Sequence, residues 1–235
     1  MKGLFFVLML ISLCTQAQEM DTCILTGSRI YTYDDVGNKT GKLTYDTEDE
    51  LVKQVRYVYD ANRNKIRTEK YLADSTQLAV YNYEFDENNF KVRSCKTDFI
   101  KGVKTSKRYW NNELGKRQRT EYYKEDVLLK TTHYRYNDKG DVIEAISYDS
   151  KGELLNQYTY KYSYSENQIL KETYNGDSRL IKLSTYCLDD KSNKIEFSTV
   201  YYSGKRKNSK RLYSYNTKGQ RVSAKVYVVE SITKE

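Results

Sequence analysis

The sequence predicts an all-β fold, a repetitive antiparallel meander of about sixteen short strands in eight units of about 26 residues. Three observations predict it: an aromatic-and-turn motif that returns at a fixed period, side chains that alternate along each segment, and turn residues at regular offsets. The chain contains 25 tyrosines and no proline, which also favours strands. We expect the sheet to be elongated and twisted and to be able to curl into a partial shell.

The period is visible in the aromatic or apolar residue that precedes each turn, which recurs at intervals of about 26 residues. These residues are Tyr33, Tyr59, Phe85, Trp110, Tyr136, Tyr164, Leu188 and Tyr215. A second set lies about halfway between them: Tyr45, Tyr71, Phe99, Tyr123, Tyr148, Tyr174, Tyr201 and Tyr227. The half-unit is therefore about 13 residues, one strand plus one turn.

Alternation and turn chemistry support the same interpretation. In Val55 to Tyr59 the odd positions form one apolar face, and a helix would instead need apolar residues at i, i+3 and i+4. Asp or Asn follows most of the pre-turn residues, as at Asp34 and Asn137, and Gly often comes three residues later, as at Gly37 and Gly140. Asx side chains open turns, and glycine tolerates the left-handed conformation that completes them.

The motif Tyr-x-Tyr-Asp-x-x-Gly-Asn of Tyr31 to Asn38 resembles the YD repeat of RHS proteins. The resemblance covers about Arg29 to Tyr227 and implies one continuous repeat domain. A weaker similarity is to short bacterial proteins of MORN-like β-hairpin repeats, some of which are antitoxins. The second similarity implies a different class of function, an antitoxin-like or immunity partner in a contact-dependent toxin system.

Residues 1–17 have the features of a secretory signal peptide: Lys2, an apolar run from Leu4 to Leu13, and Ala17 at the expected cleavage site. Cys14 suggests lipoprotein processing, but the bulky Leu13 before it fits poorly, so we favour simple cleavage. We assign residues 18–28 to an N-terminal cap, 29–229 to the repeat domain and 230–235 to a charged tail. The expected location is the periplasm or the extracellular space.

The charge is +8 for the whole chain and +7 without residues 1–17. This favours weak contact with anionic surfaces but names no partner. Export argues against nucleic acid, and no later segment is apolar enough for a transmembrane helix. Charge on both faces of the predicted strands, as at Arg56 and Lys65, argues against membrane-spanning strands as well. We expect a monomer, or weak self-association through sheet edges.

Three cysteines follow the signal peptide: Cys23, Cys95 and Cys187. The odd number leaves at least one thiol without an intramolecular partner. Cys95 and Cys187 are about seven strands apart, too far for a disulfide along an open sheet, so we expect them to be half-buried apolar side chains. Whether the sheet is open or closed is not fixed by the sequence.

Two sets of residues are candidates for ligand contact. The first is an aromatic face formed by Tyr134, Tyr136, Tyr158, Tyr160 and Tyr162, which suits stacking against sugar rings or packing within the sheet. The second is a basic patch formed by Lys205, Arg206, Lys207, Lys210 and Arg211, which suits a solvated edge or anionic envelope glycans and lipid head groups.

We find no catalytic, cofactor-binding or metal-binding constellation in the sequence. His133 is the only histidine, and one histidine without companions predicts neither a triad nor a metal site. Each Asx turn offers too few converging oxygens for calcium. The sequence therefore predicts a non-enzymatic exported binding or scaffold module of the cell envelope, contacting a glycan or another protein through a sheet face.

Overall fold

The computed structural model describes residues 21–202 and 206–231, and within these ranges the regular structure is sixteen β-strands without a helix. The predicted signal peptide and residues 232–235 of the predicted tail lie outside the described residues. The strands are β1 (Asp21–Tyr33), β2 (Lys39–Tyr45), β3 (Leu51–Tyr59), β4 (Lys65–Leu72), β5 (Gln77–Phe85), β6 (Lys91–Asp98), β7 (Val103–Asn111), β8 (Arg117–Lys124), β9 (Val127–Tyr136), β10 (Val142–Asp149), β11 (Leu154–Ser165), β12 (Gln168–Tyr174), β13 (Leu180–Leu188), β14 (Lys194–Tyr201), β15 (Asn208–Tyr215) and β16 (Arg221–Ser231).

Every strand pairs antiparallel with its neighbours in sequence, as the predicted meander requires, and the sheet then closes into a barrel. Closure is made by β1 and β16, whose register runs from Asp21 opposite Ser231 to Ile30 opposite Ser223. The described part of the segment assigned as a cap therefore belongs to β1. Because the ring of described strands has no unpaired edge, it offers no edge for the self-association considered above.

Alternation gives the barrel an inner and an outer face. Tyr57 lies opposite Thr68 on β4 and Val55 lies opposite Lys70, so these residues share one face. Two cavities of about 600 and 520 Å³ open on that face, lined by residues of β5 to β8 and of β11 to β14 respectively. The concave side of a closed sheet is its interior, so the face that carries Tyr57 is the inner one.

The outer face is charged and its charges are largely paired. Ion pairs join Arg67 to Glu69 at 2.8 Å and Lys210 to Glu196 at 2.9 Å. Glu69 also accepts a hydrogen bond from the Tyr71 hydroxyl at 3.0 Å, and the same Glu-x-Tyr contact recurs on β8 and β12. Exposed pairs of this kind stabilise little individually, but they neutralise part of the positive charge of the outer face.

The turns that follow most odd-numbered strands have the predicted Asx chemistry. In the first, the Asn38 amide donates to the Asp34 carboxylate at 2.7 Å, and the Asp34 amide donates to the Asn38 carbonyl oxygen at 2.9 Å. Equivalent turns begin at Asp60, Asp86, Asn112, Asn137, Asp189 and Asn216. We call the barrel end that carries these turns the rim.

The fully buried core is small, and most of its members are short side chains. Its apolar members are Val55, Ala79, Val80, Ala145, Ala224 and Val229. Its polar members are Thr68, Thr120, Thr132, Ser147, Thr173, Ser184 and Thr199. Val80 lies on the outer face, opposite Glu69. Most of the remaining inner side chains are half-buried or exposed, so much of the stability must come from the closed hydrogen-bond ladder and from tyrosine packing.

Cys95 on β6 and Cys187 on β13 are half-buried, as expected. Their strands are seven apart in a ring of sixteen, so closure places them on nearly opposite sides of the barrel.

Within the described ranges the structure contains no helix with the length and apolar character needed to cross a membrane.

Candidate binding surface inside the barrel

A ring of tyrosines, one from each odd-numbered strand, lines the interior. Its members are Tyr31, Tyr57, Tyr83, Tyr109, Tyr134, Tyr160, Tyr186 and Tyr213, and we call this set the tyrosine ring. The inward direction of each follows from its cross-strand register. All eight are half-buried, so one side of each ring remains open to the interior.

Small residues lie opposite most members of the tyrosine ring. Tyr57 faces Thr68, Tyr109 faces Thr120, and Tyr213 faces Ala224 across the strand pair. Those partners are 4 %, 7 % and 1 % exposed because the aromatic rings cover them. The pairing holds the tyrosines against the short side chains of the neighbouring strands.

A second ring, of cations, lies one step nearer the rim and covers the tyrosines. We call it the cation ring, and its members are Lys39, Lys65, Lys91, Arg117, Lys171, Lys194 and Arg221. Each lies over a tyrosine-ring side chain: Lys39 over Tyr31 at 4.2 Å, Lys65 over Tyr57 at 5.1 Å, Lys91 over Tyr83 at 4.4 Å, Arg117 over Tyr109 at 3.8 Å, Lys171 over Tyr160 at 4.1 Å, Lys194 over Tyr186 at 4.2 Å and Arg221 over Tyr213 at 3.9 Å. These distances allow cation–π attraction in every case.

β-Bulges aim most of these cations inward. In the first hairpin Thr32 lies opposite Gly41 but Tyr33 lies opposite Lys39, so Thr40 is the extra residue. The hairpin of β11 and β12 has no bulge, and Lys171 instead lies directly opposite Tyr162. Bulges commonly redirect a side chain at the rim of a barrel.

One unit departs from the pattern. Val142 occupies the position of the missing eighth cation, opposite Tyr136. The adjacent Asp141 accepts a hydrogen bond from the Tyr164 hydroxyl. Burial raises the pKa of Tyr162, and the charge of Asp141 raises it further. The cation ring is thus continuous around seven units and interrupted at one.

The cations of the ring are crowded and lack acidic partners. Burial lowers the pKa of Lys39, and the charges of Arg221 and Lys65 lower it further. The pKa of Lys91 is lowered in the same way, by burial first and then by Lys65 and Arg117. No ion pair between described residues involves a member of the cation ring. The charge of Asp141 raises the pKa of Lys171 but does not offset the lowering by burial and by Lys182. The ring is therefore a site where positive charge is concentrated and largely uncompensated.

Hydroxyl groups at the rim join neighbouring units. Tyr59 donates to the Lys39 carbonyl oxygen at 3.0 Å, and Tyr33 donates to the Arg221 carbonyl oxygen at 2.8 Å across the closure. The same bond is made by Tyr136, Tyr162 and Tyr215, and by the Asn111 side-chain amide. Phe85 and Leu188 occupy the two remaining positions and cannot donate.

Phe85→Tyr is expected to stabilise the barrel because it supplies the missing hydroxyl opposite the Lys65 carbonyl oxygen. The gain should be about 0.5–1.5 kcal/mol in the free energy of unfolding, measured by urea denaturation. Tyr59→Phe is the matched control and should lose a similar amount. Equal stability of the Phe85→Tyr variant and the unmodified protein would show that the rim bonds contribute nothing.

All five tyrosines of the predicted aromatic face lie on the inner face, and they differ in role. Tyr158 and Tyr160 line the cavity of about 520 Å³, together with Lys171, Lys182, Tyr201 and Arg206. Tyr136 and Tyr162 are held at the rim by their hydroxyl bonds. Tyr134 belongs to the tyrosine ring and lies opposite Ala145.

The predicted basic patch is divided by the fold. Arg206 lies over the Tyr201 ring at 5.5 Å, and Arg211 lies over Phe197 at 5.7 Å, both on the inner side. Lys210 is on the outer face, paired with Glu196. Lys207 immediately precedes β15, and Lys205 lies outside the described residues.

Sequence analysis did not identify the two rings, although the signal is present in the chain. In six of the eight units a basic residue lies eight positions after the tyrosine-ring member, as in Tyr31 and Lys39 or Tyr213 and Arg221. The eight-residue spacing is hidden when Trp110 is taken as the pre-turn residue of its unit, because the structure places Asn111 at the pre-turn position. No group of three or more His, Cys, Asp or Glu side chains within the described ranges could hold a metal ion.

No protein-family model matches this chain, and no curated protein matches it. Among solved structures, it is similar to TcdB2-TccC3 without its hypervariable C-terminal region at 12 % identity and a TM-score of 0.37, covering 80 % of this chain and 13 % of that one. It is also similar to a porin-like protein from Bacteroides uniformis at 10 % identity and a TM-score of 0.44, covering 88 % of this chain and 96 % of that one. A third similarity, to the Photorhabdus luminescens Tc holotoxin pore, has 12 % identity and a TM-score of 0.28 over 81 % of this chain and 13 % of that one. This chain thus spans a small part of the toxin chains that it matches.

Proposed function

We propose that this protein is a non-catalytic exported binding module that takes a glycan chain into the interior of its barrel. The observation that carries the proposal is the inner aromatic surface, where tyrosine faces remain half-exposed beside two cavities. Aromatic faces suit stacking against sugar rings, and their hydroxyl groups supply hydrogen bonds at the edge.

The cavity lined by Tyr158 and Tyr160 is the best-defined candidate for a sugar subsite. The two tyrosines are neighbours on the inner face of β11, and Thr173 lies opposite Tyr160. A stack of sugar rings along this strand would contact both aromatic rings, with Lys171 and Arg206 at the margins of the same cavity. This geometry supports binding without requiring a catalytic group.

The test is retention on immobilised cell-wall polysaccharide. Tyr158→Ser/Tyr160→Ser should abolish retention and lower the thermal midpoint, because tyrosine packing is lost, while the circular dichroism spectrum at the binding temperature stays that of the folded protein. A matched control is Tyr71→Ser/Tyr174→Ser, which removes two outer-face tyrosines. It should retain binding.

A variant that unfolds would not answer the question, so Tyr158→Leu/Tyr160→Leu provides a second version that keeps apolar volume without an aromatic face. Retention by the folded leucine variant at the level of the unmodified protein would refute the glycan proposal. Recovery of growth on co-expression with a neighbouring toxin gene would instead favour the immunity alternative.

A further inference from the structure

The interior is much more basic than the exterior, and this difference in charge indicates the charge class of glycan that it can hold. Besides the cation ring, the inner face carries Arg29, Lys42, Lys53, Lys70, Lys96, Lys107, Lys124, Lys130, Lys182 and Arg211, as their registers show. Few acids accompany them: Asp98 pairs with Lys96 at 2.6 Å, Asp149 lies opposite Lys130, and the charge of Asp141 acts on Lys171. The outer face, by contrast, holds the remaining ion pairs of the described residues.

We infer that the ligand is a linear polyanionic glycan, and that the cation ring binds its repeated acidic groups. This inference rests on the proposed function and adds the charge class of the glycan. Carboxylate, sulfate and phosphate groups share the chemistry that the ring recognises, since each accepts hydrogen bonds from ammonium or guanidinium groups.

Unsatisfied donors within the ring support the inference. The Nε atoms of Arg117 and Arg221 are buried and have no hydrogen-bond partner among the described residues. The outer-face Arg93 and Arg119 also have such an Nε, but their terminal nitrogens reach Glu84 and Glu121. Arg117 and Arg221 instead have aromatic faces beneath them and no carboxylate within ion-pair distance, and a terminal nitrogen of Arg221 donates to the Tyr215 hydroxyl at 3.3 Å. An anionic ligand would supply at their terminal nitrogens the acceptor that Glu84 and Glu121 supply on the outer face.

The ring also suits a polymer better than a single anion. Its cations come from consecutive units around the rim, so no one small anion can contact them all. The two inner cavities add further cations, Lys96, Lys101, Lys107 and Lys124 in one and Lys182 and Arg206 in the other. A chain that carries acidic groups at intervals can engage the ring and a cavity together, which raises its effective concentration at each site.

The experiment is isothermal titration calorimetry of the full chain with polygalacturonate. Neutral dextran of matched length is the second probe. Binding of polygalacturonate should weaken strongly between 50 and 500 mM NaCl, because salt screens these contacts. Lys39→Gln/Lys65→Gln/Lys91→Gln should lower its affinity about tenfold or more. The control Lys104→Gln/Lys161→Gln/Lys225→Gln removes the same charge from the outer face and should change affinity less than about twofold.

The outcomes separate the two proposals. Equal, salt-insensitive binding of both glycans would overturn the polyanion inference and leave the glycan proposal standing. Binding of neither glycan would refute the proposed function. Equally tight binding of anionic lipid vesicles or of a single-stranded oligonucleotide would overturn the assignment to glycans, because the ring would then recognise charge alone.

Discussion

Gly27→Ala is expected to destabilise the barrel by about 2–4 kcal/mol, the largest effect of a single small substitution that we predict. Gly27 lies at a bulge where β1 changes register against β16, with a φ of 143° that non-glycine residues rarely adopt. A Cβ atom there would lie 2.3 Å from the Tyr45 carbonyl oxygen. Both the backbone strain and the clash fall at the point where the sheet closes.

The matched control is Gly152→Ala. Gly152 has a φ of 87°, which is closer to the left-handed region that other residues occasionally adopt, and a Cβ atom there meets nothing within 4 Å. The difference in unfolding free energy between the two variants, measured by urea denaturation, reports the clash with β2 together with the greater backbone strain at Gly27. If Gly27→Ala cost no more than Gly152→Ala, the close approach of β1 to Tyr45 would be refuted.

The second large effect is electrostatic: the unliganded protein should become more stable as salt is added. Crowded cations on the inner face repel one another, and ions screen that repulsion. We expect the thermal midpoint to rise by several degrees between 20 and 300 mM NaCl. In the Lys39→Gln/Lys65→Gln/Lys91→Gln variant the rise should be smaller and the midpoint at low salt higher. A midpoint that falls with salt would contradict this.

The pH dependence follows from the same groups. The lowered pKa of Lys39, Lys65 and Lys171 means that the folded state binds fewer protons than the unfolded state between the lowered and the usual lysine pKa. Stability should therefore rise with pH across that window. Burial raises the pKa of Tyr57 and Tyr160, so their contribution is present below the usual tyrosine pKa and is lost as pH rises through the raised one. Chemical denaturation between pH 7 and 11 should show a rise followed by a fall.

Local sequence rules predicted the strands well because strand and turn signals act over short distances. Alternation around Tyr57 and the Asx turns at Asp34 and Asn137 are properties of a few neighbouring residues, and the structure shows both. The residue at which each strand ends was predicted less well. Trp110 faces outward under Arg119, and Tyr164 lies beyond the equivalent position because the hairpin of β11 and β12 is extended.

Closure and the charged interior could not be predicted in the same way. Pairing of β1 with β16 joins residues about 200 positions apart, and no local signal specifies it. Without closure there is no inside, and the lysines and arginines at alternate positions are scattered along the whole chain. Only the register assigns Lys65 and Lys70 to one face and Arg67 and Glu69 to the other.

Closure is the claim on which the interior surface depends, and a disulfide between β1 and β16 tests it most directly. Ile30 and Ser223 lie opposite each other in the register, and directly paired residues have Cα atoms close enough for a disulfide. Ile30→Cys/Ser223→Cys, with the native cysteines replaced by alanine, should form an intramolecular bond between these positions on mild oxidation, detected by mass spectrometry. Ile30→Cys/Ile146→Cys, which pairs β1 with a strand on the opposite side, should not. A closed barrel predicts high yield for the first pair only, and equal yields or purely intermolecular bonds would show that the sheet is open.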